Sequence, residues 1–228
     1  MSIDSLKIGF IGAGNIAQCL IAGLITSGHN PRQILAFDQN DRTRQLLNQT
    51  YPITVVPDNQ TLLRDADLVL LCTKPQGITT LLQSITPHLG PDCPLVTVVA
   101  GCTIETYRAI LGSHPVIRCM PNIAARVQAS TTMIYAPSTV SATTKGQVES
   151  IMRSVGSVHF LNNEDDLHLT TAIAGSGPGF FLRVLEGLSQ AAQQMGMPED
   201  QAALILLETL SGTAKLALSS NQSICNLR

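Results

Sequence analysis

Apolar residues follow two rhythms along the first 160 or so positions. Short runs at residues 7–11, 34–38, 53–56, 67–72, 95–99, 116–119, 131–135 and 157–161 read as strands. The first is apolar on both faces, as a central strand of a parallel sheet is. Between most of them, the stretches 41–49, 60–64, 77–86, 103–111 and 142–154 carry helical spacing. So does 15–27, where positions 16, 17, 20, 21, 24 and 25 form one stripe and Gly28 closes the helix. Strands alternating with helices predict an α/β fold built on a doubly wound, mostly parallel sheet. After residue 165 the strand signal stops. Residues 166–174, 178–195 and 199–219 read as helices, with Gly196-Met197-Pro198 punctuating the last two. Two domains are therefore expected, 1–163 and an all-helical 164–228.

Composition narrows the function. The 228 residues are 44% hydrophobic and 13% charged, which is globular rather than disordered. A net charge of −2 without a Lys/Arg block, and the absence of tryptophan, argue against nucleic acid as a partner. No apolar run reaches the roughly 18–20 residues that span a bilayer, so no membrane partner is expected. The opening MSIDSLK has no basic segment ahead of its apolar run, and Gly9, Gly12 and Gly14 interrupt that run, so no signal peptide is expected. Cysteines 19, 72, 93, 102, 119 and 225 show no CxxC and no pairing with histidine. They read as small buried residues in a reducing, cytoplasmic setting, and no metal site is expected. Histidines 29, 88, 114, 159 and 168 are scattered and take no catalytic role.

The chemistry gathers at the strand ends. In "KIGFIGAGNIAQCLIAGL", Gly12 permits a tight turn after the first strand and Gly14 lets backbone approach a pyrophosphate. Ala17 keeps the helix close to the sheet. The helix N-terminus, at Asn15 and Ile16, offers free N–H groups to phosphate. Asp38 stands 21 residues beyond Ala17 at the end of the second strand, placed to accept from a ribose 2′-OH. These features make the first domain a Rossmann-type dinucleotide site. Asp38 favours NAD(H), while Arg42 and Arg44 could pair with the extra phosphate of NADP(H), so both cofactors stay open.

Four further loops fall at the same sheet edge. "PDNQT" holds Asp58 and Asn59, either a helix cap or a ligand group. "CTKPQ" holds Lys74 and the stiffening Pro75. "VVAGCT" offers the small Ala100 and Gly101, and "RCMPN" presents Asn122. The second domain opens with "TAIAGSGPGFF", whose glycines do not serve helix propensity. There Ser176 could cap the next helix with Pro178 in its first turn.

Taken together, FIGAGNIAQCLIAGL, CTKPQ, VAGCTIETY, RCMPN, AGSGPGFF, MGMPEDQA and GTAKLAL resemble the pyrroline-5-carboxylate reductases over essentially the whole chain. The resemblance implies reduction of a cyclic imine to L-proline by NADP(H) or NAD(H), on a Rossmann domain followed by a helical dimerisation domain. A homodimer or higher homo-oligomer is implied with it. It also implies that Gly12, Gly14, Asn15, Ile16, Asn59, Lys74 and Pro75 line the cofactor. Asn122 and the turn Ser176, Gly177, Pro178 would border the imine pocket. No catalytic acid is identified.

Members of that family continue after the GTAKLAL-like helix into a loop of the type S/T-x-P-G-G-T-T, whereas these residues stop at SSNQSICNLR. The 228 residues by themselves are expected to bind dinucleotide but to reduce the imine poorly or not at all. Two other readings share the architecture. One is a different imine or 2-hydroxyacid dehydrogenase, for which Lys215 is the only lysine of the second domain. The other is a silent dinucleotide-binding sensor or partner subunit.

Overall fold

Strands β1 (Ile8–Ile11) and β4 (Leu68–Leu71) are IGFI and LVLL, buried at every position. Such strands can only sit in the middle of a sheet covered on both faces. In the computed structural model, which describes residues 5–228, they pair side by side at its centre. The MSID read above for a leader lies outside the described residues.

Around this pair the sheet is completed by β2 (Ile34–Phe37), β3 (Thr54–Val55), β5 (Leu95–Thr97), β6 (Val116–Met120), β7 (Ser130–Tyr135) and β8 (Gly156–Phe160). The order is β3-β2-β1-β4-β5-β6-β7-β8. Successive residues of the central strands face opposite sides. Ile8, Phe10, Leu68 and Leu70 meet α1 (Asn15–Thr26) and α6 (Ala142–Arg153) through Leu20, Ile21, Val148 and Ile151. Ile11, Val69 and Leu71 join the opposite cluster, with Leu62 of α3 (Asn59–Asp65), Leu82 of α4 (Ile78–Ile85) and Tyr107 of α5 (Ile104–Leu111). The remaining helix of this alternation, α2 (Asp41–Thr50), buries Leu47 on the α1 side.

The first six strands are parallel, but β7 runs antiparallel to β6. The cause is the connection. Residues 121–129 hold only a 3₁₀ turn (Ile123–Val127), too short for the crossover that a parallel neighbour needs. Helix α6 then restores a crossover, and β8 is parallel to β7.

The compact units divide between Gly175 and Ser176, later than the boundary expected after residue 163. Two contacts explain the difference: Leu167 is 1% exposed, and the Glu164 carboxylate accepts the Ile104 N–H. The segment after β8 is thereby part of the first unit. It forms α7 (Asp166–Thr170) and then a π-helical turn (Thr171–Gly175) in place of the single helix expected over 166–174. The second unit contains α8 (Gly177–Gln194), α9 (Glu199–Ser219) and α10 (Ile224–Leu227). Ser176, expected to cap α8, is itself in right-handed helical conformation and makes no side-chain cap bond.

With 21 residues and a mean hydropathy of 1.3 over its most apolar 18, α9 is by length and composition long and apolar enough to cross a bilayer. Glu199, Asp200, Glu208 and Lys215 interrupt its apolar runs, and so the sequence shows no unbroken stretch.

Candidate dinucleotide site

The strand order reverses direction between β1 and β4, and ligands of open α/β sheets bind where this happens. A cleft of about 850 Å³ opens there, at the carboxyl ends of β1, β2 and β4.

Its floor is the turn from β1 into α1. Gly12 has φ +88° and donates its N–H to the Phe37 carbonyl at 2.8 Å. A Cβ there would lie 2.8 Å from the Cys72 carbonyl oxygen, so the fold itself demands this glycine. Gly14 differs: its φ is −70° and a Cβ would meet nothing within 4 Å. The exposed Gly14 backbone simply leaves the cleft open above the α1 N-terminus, whose first N–H groups lack intrahelical acceptors.

The β2 wall is Phe37, Asp38 and Asn40. Asp38 Oδ2 accepts the Ala13 N–H at 2.8 Å and Oδ1 accepts the Asn40 N–H at 2.9 Å. Arg44 is held as well. It pairs with Asp41, donates to the Asp38 carbonyl at 2.6 Å and lies 5.5 Å over the Phe37 ring. Arg42 is exposed.

Asp58, not Asn59, caps α3, accepting the Thr61 N–H at 2.7 Å, and this bond holds the Asp58 carboxyl below its ordinary value. Asn59 is thereby free to face the cleft, where its Oδ1 is buried without a hydrogen-bond partner. Thr73, directly after β4, repeats the situation with Oγ1. Buried polar atoms left unpaired cost about 1–3 kcal/mol each, and two in one cleft wall fit a ligand bearing hydroxyls and phosphates. Lys74 adds an exposed cation to the rim. Cys72 in the same wall is no nucleophile, because burial pushes its thiol up to about 12.

Of the residues chosen from sequence, Gly12, Gly14, Asp38, Asn59 and Lys74 line this one cleft. Asn15 and Ile16 form the adjoining first turn of α1, with Ile16 packed on the core. Pro75 lies in the turn beside the rim, and Ala100 and Gly101 are exposed in the turn before α5. None of these three lines the cleft. Asn122 is committed to the fold: Oδ1 accepts the Ala124 N–H at 3.1 Å and Nδ2 donates to the Ala174 carbonyl at 3.0 Å. In the second unit Ser176 is exposed, Gly177 buried and Pro178 half-buried. Sequence reasoning missed Thr73, whose only signal was its place after a strand at the switch point.

It also missed a polar knot below the β5–α5 turn. Arg118 on β6, with its side chain 3% exposed, pairs with Glu164 at 2.5 Å. The same carboxylate oxygen takes the Ile104 N–H at 2.6 Å. Nearby, Tyr107 and Thr97 share a 2.6 Å hydroxyl bond, and burial pushes the Tyr107 phenol up to about 12.

A switch-point cleft with a glycine turn, a helix N-terminus and unpaired hydrogen-bonding groups is the site of a dinucleotide-binding α/β protein. A pyrroline-5-carboxylate reductase of Pseudomonas aeruginosa is 35% identical over 223 residues, spanning 97% of this chain and 82% of that one. The chain belongs to the pyrroline-5-carboxylate reductase family.

Other comparisons agree. Residues 164–228 match the family described as pyrroline-5-carboxylate reductase dimerisation, and residues 7–101 the family described as NADP oxidoreductase coenzyme F420-dependent. The structure of a pyrroline-5-carboxylate reductase from Coxiella burnetii superposes with a TM-score of 0.92 at 31% identity, covering 98% of this chain and 84% of that one. A Plasmodium falciparum pyrroline carboxylate reductase with NADP bound shares the fold, with a TM-score of 0.88 at 23% identity over 98% of this chain and 83% of its own.

Proposed function

We propose that this protein reduces 1-pyrroline-5-carboxylate to L-proline with NADPH, in the cytoplasm, as a homodimer. The observation that carries this is the 35% identity to a pyrroline-5-carboxylate reductase along nearly the whole chain, with the dinucleotide cleft intact within it. NADPH is preferred over NADH because the cofactor half matches an NADP oxidoreductase family. Six free thiols suit a reducing compartment.

The cofactor supplies a hydride. The chain's own part is to hold it: the Gly12–Gly14 turn and the α1 N-terminus take the pyrophosphate, Lys74 balances its charge, and Asn59 and Thr73 take hydroxyl groups. A protonated cyclic imine accepts hydride at carbon readily, so what remains for the protein is orientation and exclusion of water. The assay quantifies proline directly, at high enzyme concentration, with each reduced nicotinamide. Proline is the expected product. Dinucleotide binding without proline would overturn the reading in favour of a sensor.

Assembly follows from the second unit. On α8 and α9 the buried residues are Gly177 and Ala202, while Phe180, Phe181, Leu204, Leu207 and Leu218 are between 51% and 88% exposed. Apolar faces this wide need a cover, and a second copy of the same helices is the cover proposed. Light scattering at micromolar concentration should give twice the 24.3 kDa of the chain. A monomer would overturn the dimer, and sedimentation with phosphatidylcholine vesicles would assign α9 to a bilayer instead.

A further inference from the structure

We infer that Asp38 is a positioning residue that ties the two turns of the cofactor cleft together, rather than the hook for a ribose hydroxyl implied by its place after β2. The inference rests on the reading of the cleft as a nicotinamide dinucleotide site. Each oxygen of the carboxylate already takes a main-chain N–H from a different turn, Ala13 at 2.8 Å and Asn40 at 2.9 Å.

Both anchors matter to the cleft. Ala13 is fully buried between Gly12 and Gly14, and its N–H belongs to the peptide just ahead of the Gly14 backbone. A trans peptide is planar, so holding that N–H fixes the plane of the whole unit. Asn40 is the N-cap of α2, its Oδ1 accepting from Arg42 and Thr43. The Asp38 carbonyl is held in turn by Arg44. Residue 38 thus links the β1–α1 and β2–α2 turns through side chain and main chain together. Hydrogen bonds from main-chain N–H to an ionised carboxylate are among the stronger ones, and a ribose hydroxyl would have to compete with two of them.

The two roles separate on a probe that lacks the adenosine ribose. Reduced nicotinamide mononucleotide, NADH and NADPH are titrated against wild type, Asp38→Asn and Asp38→Ala, with folding checked by thermal melting. A positioning role weakens all three ligands by about tenfold in Asp38→Ala and leaves the NADPH-to-NADH ratio unchanged. A ribose hook leaves the mononucleotide unaffected and moves the ratio towards NADPH, which would overturn the inference.

A second measurement needs neither ligand nor variant. Amide exchange in the unliganded wild type should show Ala13 protected, and an unprotected Ala13 overturns the tie even if no substitution folds. If Ala13 is protected but no dinucleotide binds, the tie stands and the cofactor reading falls.

Discussion

Exchanging Gly14 for leucine should leave the melting temperature almost unchanged and remove dinucleotide binding. The two glycines of the turn are constrained by different things. Gly12 needs its positive φ and touches the Cys72 carbonyl, so a side chain there damages the fold before any ligand arrives. Gly14 has an ordinary φ of −70° and open space around the position of a Cβ. A leucine there strains nothing in the folded chain, and loss of glycine at a helix N-cap costs at most about 1 kcal/mol. What it obstructs is the approach to the first N–H groups of α1. If a pyrophosphate loses two charge-assisted hydrogen bonds of about 1.5 kcal/mol or more each, affinity falls by at least about 100-fold. Calorimetric titration with NADPH beside a thermal melt reads both quantities. A change in Kd of less than about tenfold in a well-folded variant would mean that no phosphate approaches Gly14.

That contrast also marks what the sequence could reveal. Strands β1 and β4 were legible because a strand covered on both faces writes itself as an unbroken apolar run. The turn between β1 and α1 was legible because its glycines stand at fixed spacing from a strand end and a helix start. Asp58 and Asn59 were legible as a pair only. Which of them caps α3 depends on the reach of one carboxylate to the Thr61 N–H. The reversal at β7 was hidden, because it follows from how little chain the 3₁₀ turn over Ile123–Val127 consumes. The π-helical turn was hidden for a tertiary reason: its Ala174 carbonyl is engaged by Asn122, 52 positions away. Thr73 was invisible because threonine is common and only the folded cleft buries its hydroxyl unpaired.

Arg118 and Glu164 were the least legible, 46 positions apart on β6 and after β8, and replacing Glu164 by alanine should be among the most destabilising single changes in the first unit. Each of the other ion pairs among the described residues has at least one exposed side chain, and for such pairs about 0–1 kcal/mol is typical. Arg118 is different. Its side chain is 3% exposed, and without Glu164 a guanidinium stays buried with its charged partner gone. Breaking such a pair from one side costs about 3–5 kcal/mol. The Ile104 N–H at the start of α5 loses its acceptor in the same step. For a chain of this size the melting temperature should fall by about 10 °C. Glu164→Gln keeps an acceptor for Ile104 but not the charge, so it should fall between wild type and alanine. The decisive variant is the double replacement Arg118→Met with Glu164→Ala, which removes the buried cation along with its partner and leaves the Ile104 N–H without its acceptor, as Glu164→Ala does. It should be more stable than Glu164→Ala, since the penalty comes from the stranded cation and not from the missing bond. A double variant as unstable as Glu164→Ala would show instead that the carboxylate matters only through Ile104 and the position of α5.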